Sequence, residues 1–340
     1  MDYMNDNQPV TPDAPGAVDD RVRDQLAQTV QPVAFPINSL PPGSIPSVHL
    51  PPELQYSMAA VSTAFHAEFL VENNMPDIII VSSDSVLFYA HMYLLLSLSD
   101  NMFDGLLDVE DFLGSPRGLL LGSLWVIGVP TGSILFNVVI HTIYGMSCNQ
   151  FNPPLDILLQ AVTSLKAFGI SLDLAVGRDT PLYSHILAEM PQSPIDVFLV
   201  AAEHGLDGLA VTSSAHLHSL VLPTITDEMA DRMGPLYLKR LMMLNDDRMD
   251  YLKQLLADVP KPHEETTDCG PAGQRKLARA WAVAAAGLMW DIGPDVSSSV
   301  LRATLSPLKQ QLNCERCKTS LNTRIQQLVL DWYTNAKQTI

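Results

Sequence analysis

The sequence predicts an α+β fold, a short sheet with surrounding helices followed by an all-α region. Three observations carry that prediction. Residues 77–91, "DIIIVSSDSVLFYAH", set two apolar runs on either side of a short turn, the first rich in β-branching, which is the pattern of a hairpin. "LWVIGVP" at 124–130 supplies a third strand. From about residue 155 the apolar residues recur at helical spacing to the end of the chain, and no strand signal of similar quality returns.

Taken in order, the segment up to Glu53 holds ten of the 25 prolines and no sustained apolar periodicity, so residues 1–57 read as a disordered leader. Its prolines also fit a ligand for an aromatic groove. Met58, Val61, Phe65 and Phe69 then follow the rhythm of a helix with one apolar face, ended by "ENNMP". "IIIV" suits a strand covered on both sides, Asp84 and Ser85 make the turn, and "VLFYA" returns. His91 to Leu107 reads as a helix, with Leu94, Leu95, Leu98, Met102, Phe103 and Leu106 on one side. Residues 108–123, with Glu110 and Asp111 and the breakers Gly114, Pro116 and Gly118, read as an insertion.

Between Gly118 and Leu155 there is no Asp, Glu, Lys or Arg, which makes 118–144 the one stretch to weigh as a membrane span. Gly128, Pro130, Thr131 and Gly132 cut it near its middle into a strand and the helix "SILFNVVIHTIYG", so no span is expected. "PLDILLQAVTSLKAFGI" is a helix with proline at its start and Gly169 near its end. Helices follow through 177–259, then a loop at 260–273, an Ala-rich helix and a helical tail with one sharp interruption.

Together these pieces resemble a known family. "PDIIIVSSDSVLFYAHMYLLLSLSDNMFDGLL", "LWVIGVPTGSILFNVVIHTIYG" and "ILLQAVTSLKAFGISLDL" are similar to the BTB/POZ domain over roughly 59–175. Asp77 stands where the family opens its first strand, Phe88 and His91 where it closes the second, and Leu95, Ser99 and Phe103 where its next helix carries Leu, Ser and Phe; Tyr144 before Gly145 matches a helix ending. The resemblance implies a BTB/POZ domain at 58–176, a BACK-like helical extension at 177–259 containing "FLVAAEHGLDGLA", and a C-terminal region at 260–340. The tail looks like that of BTB proteins expanded in mushroom-forming fungi. It also implies a protein-interaction module that scaffolds other proteins and forms a homodimer, with Met58, Val61, Phe65 and Phe69 at the dimer end and Asp77 lining a charged groove. Two departures matter: Met92 replaces a commonly basic residue, and "LLDVED" puts Leu107 three places rather than two before Glu110, breaking the triplet by which many members engage a cullin. A cullin-type ubiquitin-ligase adaptor is the alternative function.

Composition narrows the partners. A formal net charge of −17 and a pI near 4.7 repel phosphate backbones and anionic membranes, so neither nucleic acid nor membrane is expected. Four cysteines in 340 residues are too few for a disulfide scaffold. With an acidic start that fits neither a signal nor a transit peptide, they point to an intracellular, cytoplasmic or nuclear setting. No phosphate loop, G-x-S-x-G or H-E-x-x-H occurs, so no enzyme activity is predicted. His216 and His218 lie on different helix faces, and His91 reads as a hydrogen-bonded structural histidine.

One constellation remains. "CERC" places Cys314 and Cys317 at the C-x2-C spacing that lets two thiolates hold one Zn2+, and His263 and Cys269 lie six residues apart in the 260–273 loop. If the loop folds back, a three-cysteine, one-histidine structural zinc site forms. Free thiols in a packed helical tail are the competing reading; a redox pair is disfavoured because no strand leads into the motif. Cys148, next to no other candidate ligand in sequence, is expected to take no part.

Overall fold

The computed structural model describes residues 60–108, 119–121 and 124–340. The described chain is α+β and mostly helical. It divides into two compact units, one taking in 60–91 and 119–129, the other 92–108 and 130–340. The expected leader and Met58 lie outside the described residues, as does most of the expected insertion.

The first unit is a five-stranded sheet of β1 (Ala60–Val61), β2 (Ile78–Val81), β3 (Val86–Ala90), β4 (Leu119–Leu121) and β5 (Leu124–Gly128), in the order β1-β3-β2-β5-β4. β2 and β3 form the expected hairpin, Ile78 opposite Ala90 and Val81 opposite Leu87. Its turn is tied by Ser82, whose hydroxyl donates to Asp84 at 2.6 Å and accepts the Val86 amide at 3.0 Å. β5 lies parallel to β2, with Ile78 opposite Trp125. Ile78, Ile79 and Ile80 are all buried, so both faces of β2 are covered, and a run of β-branched residues replaces the usual alternation.

Two expectations fail here. No helix runs through 60–70: Ala60–Val61 pairs in parallel with β3, and turns follow. The amides that a helix would use internally go elsewhere, Ser62 N–H to the Leu87 carbonyl at 2.8 Å and Phe65 N–H to the Ser62 hydroxyl at 3.3 Å. Phe65 is fully buried against Phe69 and Phe88, ring centroids 5.2 and 6.5 Å away, so Val61, Phe65 and Phe69 do not share one apolar helix face. The second failure is β4, a strand antiparallel to β5 where an insertion was expected.

The second unit opens with α1 (Met92–Leu98), then α2 (Ser133–Ile143), α3 (Leu155–Ala167), α4 (Leu172–Ala175), α5 (Pro181–Glu189), α6 (Pro194–Glu203), α7 (Asp207–Ser214), α8 (Asp227–Ala257), α9 (Pro271–Asp291), α10 (Ser298–Leu305) and α11 (Glu315–Asn335). α1 stops nine residues short of the expected Leu107. Ser99 accepts the Phe103 amide at 2.7 Å and donates to the Phe168 carbonyl at 2.7 Å, diverting the chain into a turn where Met102, Phe103, Asp104 and Gly105 all have positive φ. Phe103 stacks on Phe168 with centroids 4.2 Å apart. The stretch weighed as a membrane span holds β5 and α2, and among the described residues no helix is long and apolar enough to cross a membrane.

The C-terminal helices close around one apolar cluster including Leu256, Trp281, Leu301, Leu305, Leu321, Leu328 and Trp332. Two buried arginines tie its edges. Arg324 on α11 donates to the Leu255 and Asp258 carbonyls at the end of α8, where a helix leaves carbonyls without partners. Arg248 on α8 donates to the Pro294 and Lys337 carbonyls at 2.8 and 2.6 Å and lies over the Trp332 ring.

Candidate metal centre

α11 begins at Glu315 with Cys314 as its N-cap and Cys317 in its first turn, so the C-x2-C spacing sets both sulfurs at the same helix end. The loop before α9 brings the other two donors. Thr266 and Cys269 exchange backbone hydrogen bonds at 3.1 Å in each direction, a tight reversal that turns the Cys269 side chain toward α11. The Lys261 carbonyl accepts from Ser320 on α11 at 2.6 Å, and Gln274 on α9 donates to the His263 carbonyl at 2.8 Å. The loop is thereby fixed to both helices.

The donor atoms of His263, Cys269, Cys314 and Cys317 all lie within 4.8 Å of one another. His263 Nε2 is 3.3 Å from Cys317 Sγ and 3.4 Å from Cys314 Sγ, and the sulfurs of Cys269 and Cys317 are 3.7 Å apart. A tetrahedron with Zn–S near 2.3 Å and Zn–N near 2.05 Å has edges of about 3.6 to 3.8 Å. Three of the six separations therefore already fall close to those edges. The imidazole is oriented correctly too: Nδ1 lies 2.6 Å from the Glu264 carbonyl, which can only accept, so Nδ1 carries the proton and the Nε2 lone pair faces the sulfurs.

Cys269 and Cys317 are buried, while His263 and Cys314 are partly exposed at the rim. The Cys317 amide, at the start of α11, lowers the Cys314 thiol to about 7. Burial pushes Cys317 up to about 12 and raises Cys269 as well. Three thiols held this close cannot ionise together without a cation among them. The four residues converge as the loop-to-helix reading requires, and the cluster is able to hold a metal ion.

The other singled-out residues lie elsewhere. Val61 and Asp77 are exposed and Phe69 half-buried in the first unit. The Asp77 backbone bridges two strands, its amide donating to Ala90 and its carbonyl accepting from Trp125, each at 3.1 Å. His91 is buried with Nε2 3.1 Å from the Asn74 carbonyl, the hydrogen-bonded environment expected of it. Cys148 is absent from the cluster but has a neighbour that sequence adjacency hid: its sulfur lies 3.6 Å from His185 Nδ1, both buried. Two donors 37 positions apart, on no shared element, leave no local signal. No protein-family model, curated protein or solved structure gives a significant match to the chain.

Proposed function

We propose that His263 Nε2 and the thiolates of Cys269, Cys314 and Cys317 hold one structural Zn2+ that staples the 260–273 loop to the start of α11. The convergence of one imidazole and three sulfurs within 4.8 Å carries this reading. Soft thiolates with an imidazole in a tetrahedral arrangement favour zinc over Mg2+, Ca2+ or Mn2+. Four protein ligands close the coordination shell and leave no open position for a substrate, which is the structural rather than the catalytic pattern. Such sites contribute apparent binding energies of roughly 10 to 16 kcal/mol at pH 7, comparable to the whole stability of a typical domain. The purified chain should carry one zinc per molecule by elemental mass spectrometry. Cys269→Ser, Cys317→Ser and His263→Ala should each lose it, and Cys148→Ser should keep it. A wild type without stoichiometric zinc, and with the same melting temperature in chelator and in zinc, would overturn the assignment.

Beyond the site, the reading that fits best is a BTB/POZ-like scaffold that binds proteins, a second copy of itself included, and catalyses nothing. Its support is local: Asp77 directly precedes β2, Phe88 lies in β3, His91 follows β3 and Leu95 lies on α1. These are the places the sequence resemblance assigns. A cullin-adaptor role would need a contact for which Leu107 and Glu110 are wrongly spaced; that stretch leaves the described residues after Asp108. Affinity capture from the native cell with identification by mass spectrometry tests the scaffold reading. A turnover abolished by one polar point substitution in the purified protein would replace it with an enzyme.

A further inference from the structure

We infer that the outward face of α9 is a homodimer surface on which two copies of this chain pair antiparallel. The inference rests on the reading that the chain self-associates, and names where. α9 buries Leu277, Trp281, Ala285 and Leu288 on one side. At 100° per residue the opposite side carries Lys276, Arg279, Val283, Ala286, Gly287 and Trp290, all exposed. Val283 is 75% and Trp290 90% accessible, a large aromatic side chain left almost wholly in water on a helix that its own fold has finished packing.

The charges on this helix are arranged for a second copy. Lys276 and Arg279 occupy its N-terminal half and Asp291 its C-terminal end, and none of the three has an ion-pair partner among the described residues. Asp291 at the C-terminal end opposes the helix macrodipole, while Lys276 and Arg279 lie beyond the first turn, so the isolated helix gains nothing from this order. A two-fold axis through Val283 sets residue 276 beside 290 of the other copy and 279 beside 287. Lys276 then reaches the partner's Asp291, and Arg279 lies within a turn of the ring of the partner's Trp290, where a guanidinium is attracted to the aromatic face. Each contact occurs twice, as an isologous interface demands, and Ala286 and Gly287 allow the axes to approach to about 8 Å. A partner of different sequence would need an acidic and apolar strip in the same order, whereas a second copy supplies it automatically.

One helix pair buries less than the roughly 800 Å2 per partner of a standard interface, so the dimer is weak and salt-sensitive. Sedimentation of the full zinc-loaded chain at about 100 µM, an occupancy suited to micromolar affinity, should show a dimer at low salt. Lys276→Asp and Asp291→Lys should each shift it to monomer, and the double substitution should restore it. Asp291→Lys favours the helix macrodipole and Lys276 is exposed beyond the first turn, so the monomer fold is not put at risk. Trp290→Ala should weaken association, and wild-type Trp emission should shift to shorter wavelength as concentration rises. A dimer indifferent to all these substitutions overturns the α9 surface while self-association stands. A monomeric wild type overturns both.

Discussion

At the residue scale the candidate centre depends on a side chain that is missing. Gly273 lies in the first turn of α9, and a Cβ there would sit 3.1 Å from Cys269 Sγ, closer than ordinary van der Waals contact, with the thiol held by its turn and its neighbours. Alanine should favour the helix by about 0.5 to 1 kcal/mol, so two effects of opposite sign are separable. We expect Gly273→Ala to weaken zinc binding severalfold in competition with a chromophoric chelator, without lowering the melting temperature of the metal-free protein. Unchanged zinc affinity would show that the sulfur has room to move. The cysteine pair was legible in the sequence because its three-residue spacing is a local signature of one helix turn. The approach of His263 and Cys269 was not, since it depends on Ser320 holding Lys261 and Arg324 holding Asp258 from 59 and 66 positions away. Spacing nominated the donors, and non-local hydrogen bonds assembled them.

The elements show the same division between local and distant causes. α8 is two helical segments joined by a kink at Gly234, with φ 64° and ψ 168° ahead of Pro235. That region of backbone space is essentially restricted to glycine and costs other residues roughly 1 to 3 kcal/mol. Gly234→Ala should therefore lower the unfolding free energy obtained from urea titration by an amount in that range, and a wild-type value would mean the kink relaxes freely. A Gly-Pro pair inside a helical pattern announces such a break directly. The hairpin was equally legible, because strand period and turn residues lie within fifteen positions. By contrast, the chain at 60–70 has helix-like spacing but gives the Ser62 amide to Leu87 and accepts the Tyr89 amide at the Phe65 carbonyl, both on β3 more than twenty positions on. α1 ends early because Ser99 and Asn101 find the Phe168 and Ala167 carbonyls, 69 and 66 positions away. In both cases a polar partner supplied by the folded chain outcompeted the local pattern.

For the whole molecule, acid should act through histidines before carboxylates. Burial is the largest cause lowering the pKa of His141, His204 and His218. In the unfolded chain each titrates near 6.5. Between that value and its lower folded value the unfolded chain binds the proton and the folded chain does not, so stability rises with pH across the window and is lost as pH falls below about 6.5. An opposing effect exists, since protonating carboxylates relieves the self-repulsion of a chain at −17, but carboxylates titrate near 4 and contribute little above pH 5.5. Proton competition for the thiolates adds to the loss in zinc-loaded protein. The histidine contribution is isolated by melting the protein in chelator. A fall of a few degrees from pH 7.5 to 5.5 is expected, as 1 kcal/mol moves the midpoint by roughly 2 to 4 °C for a chain of this order of size. Without chelator the fall should be larger, and the difference between the two curves reports the metal. A midpoint that holds or rises on acidification in chelator would show that charge relief outweighs these three imidazoles.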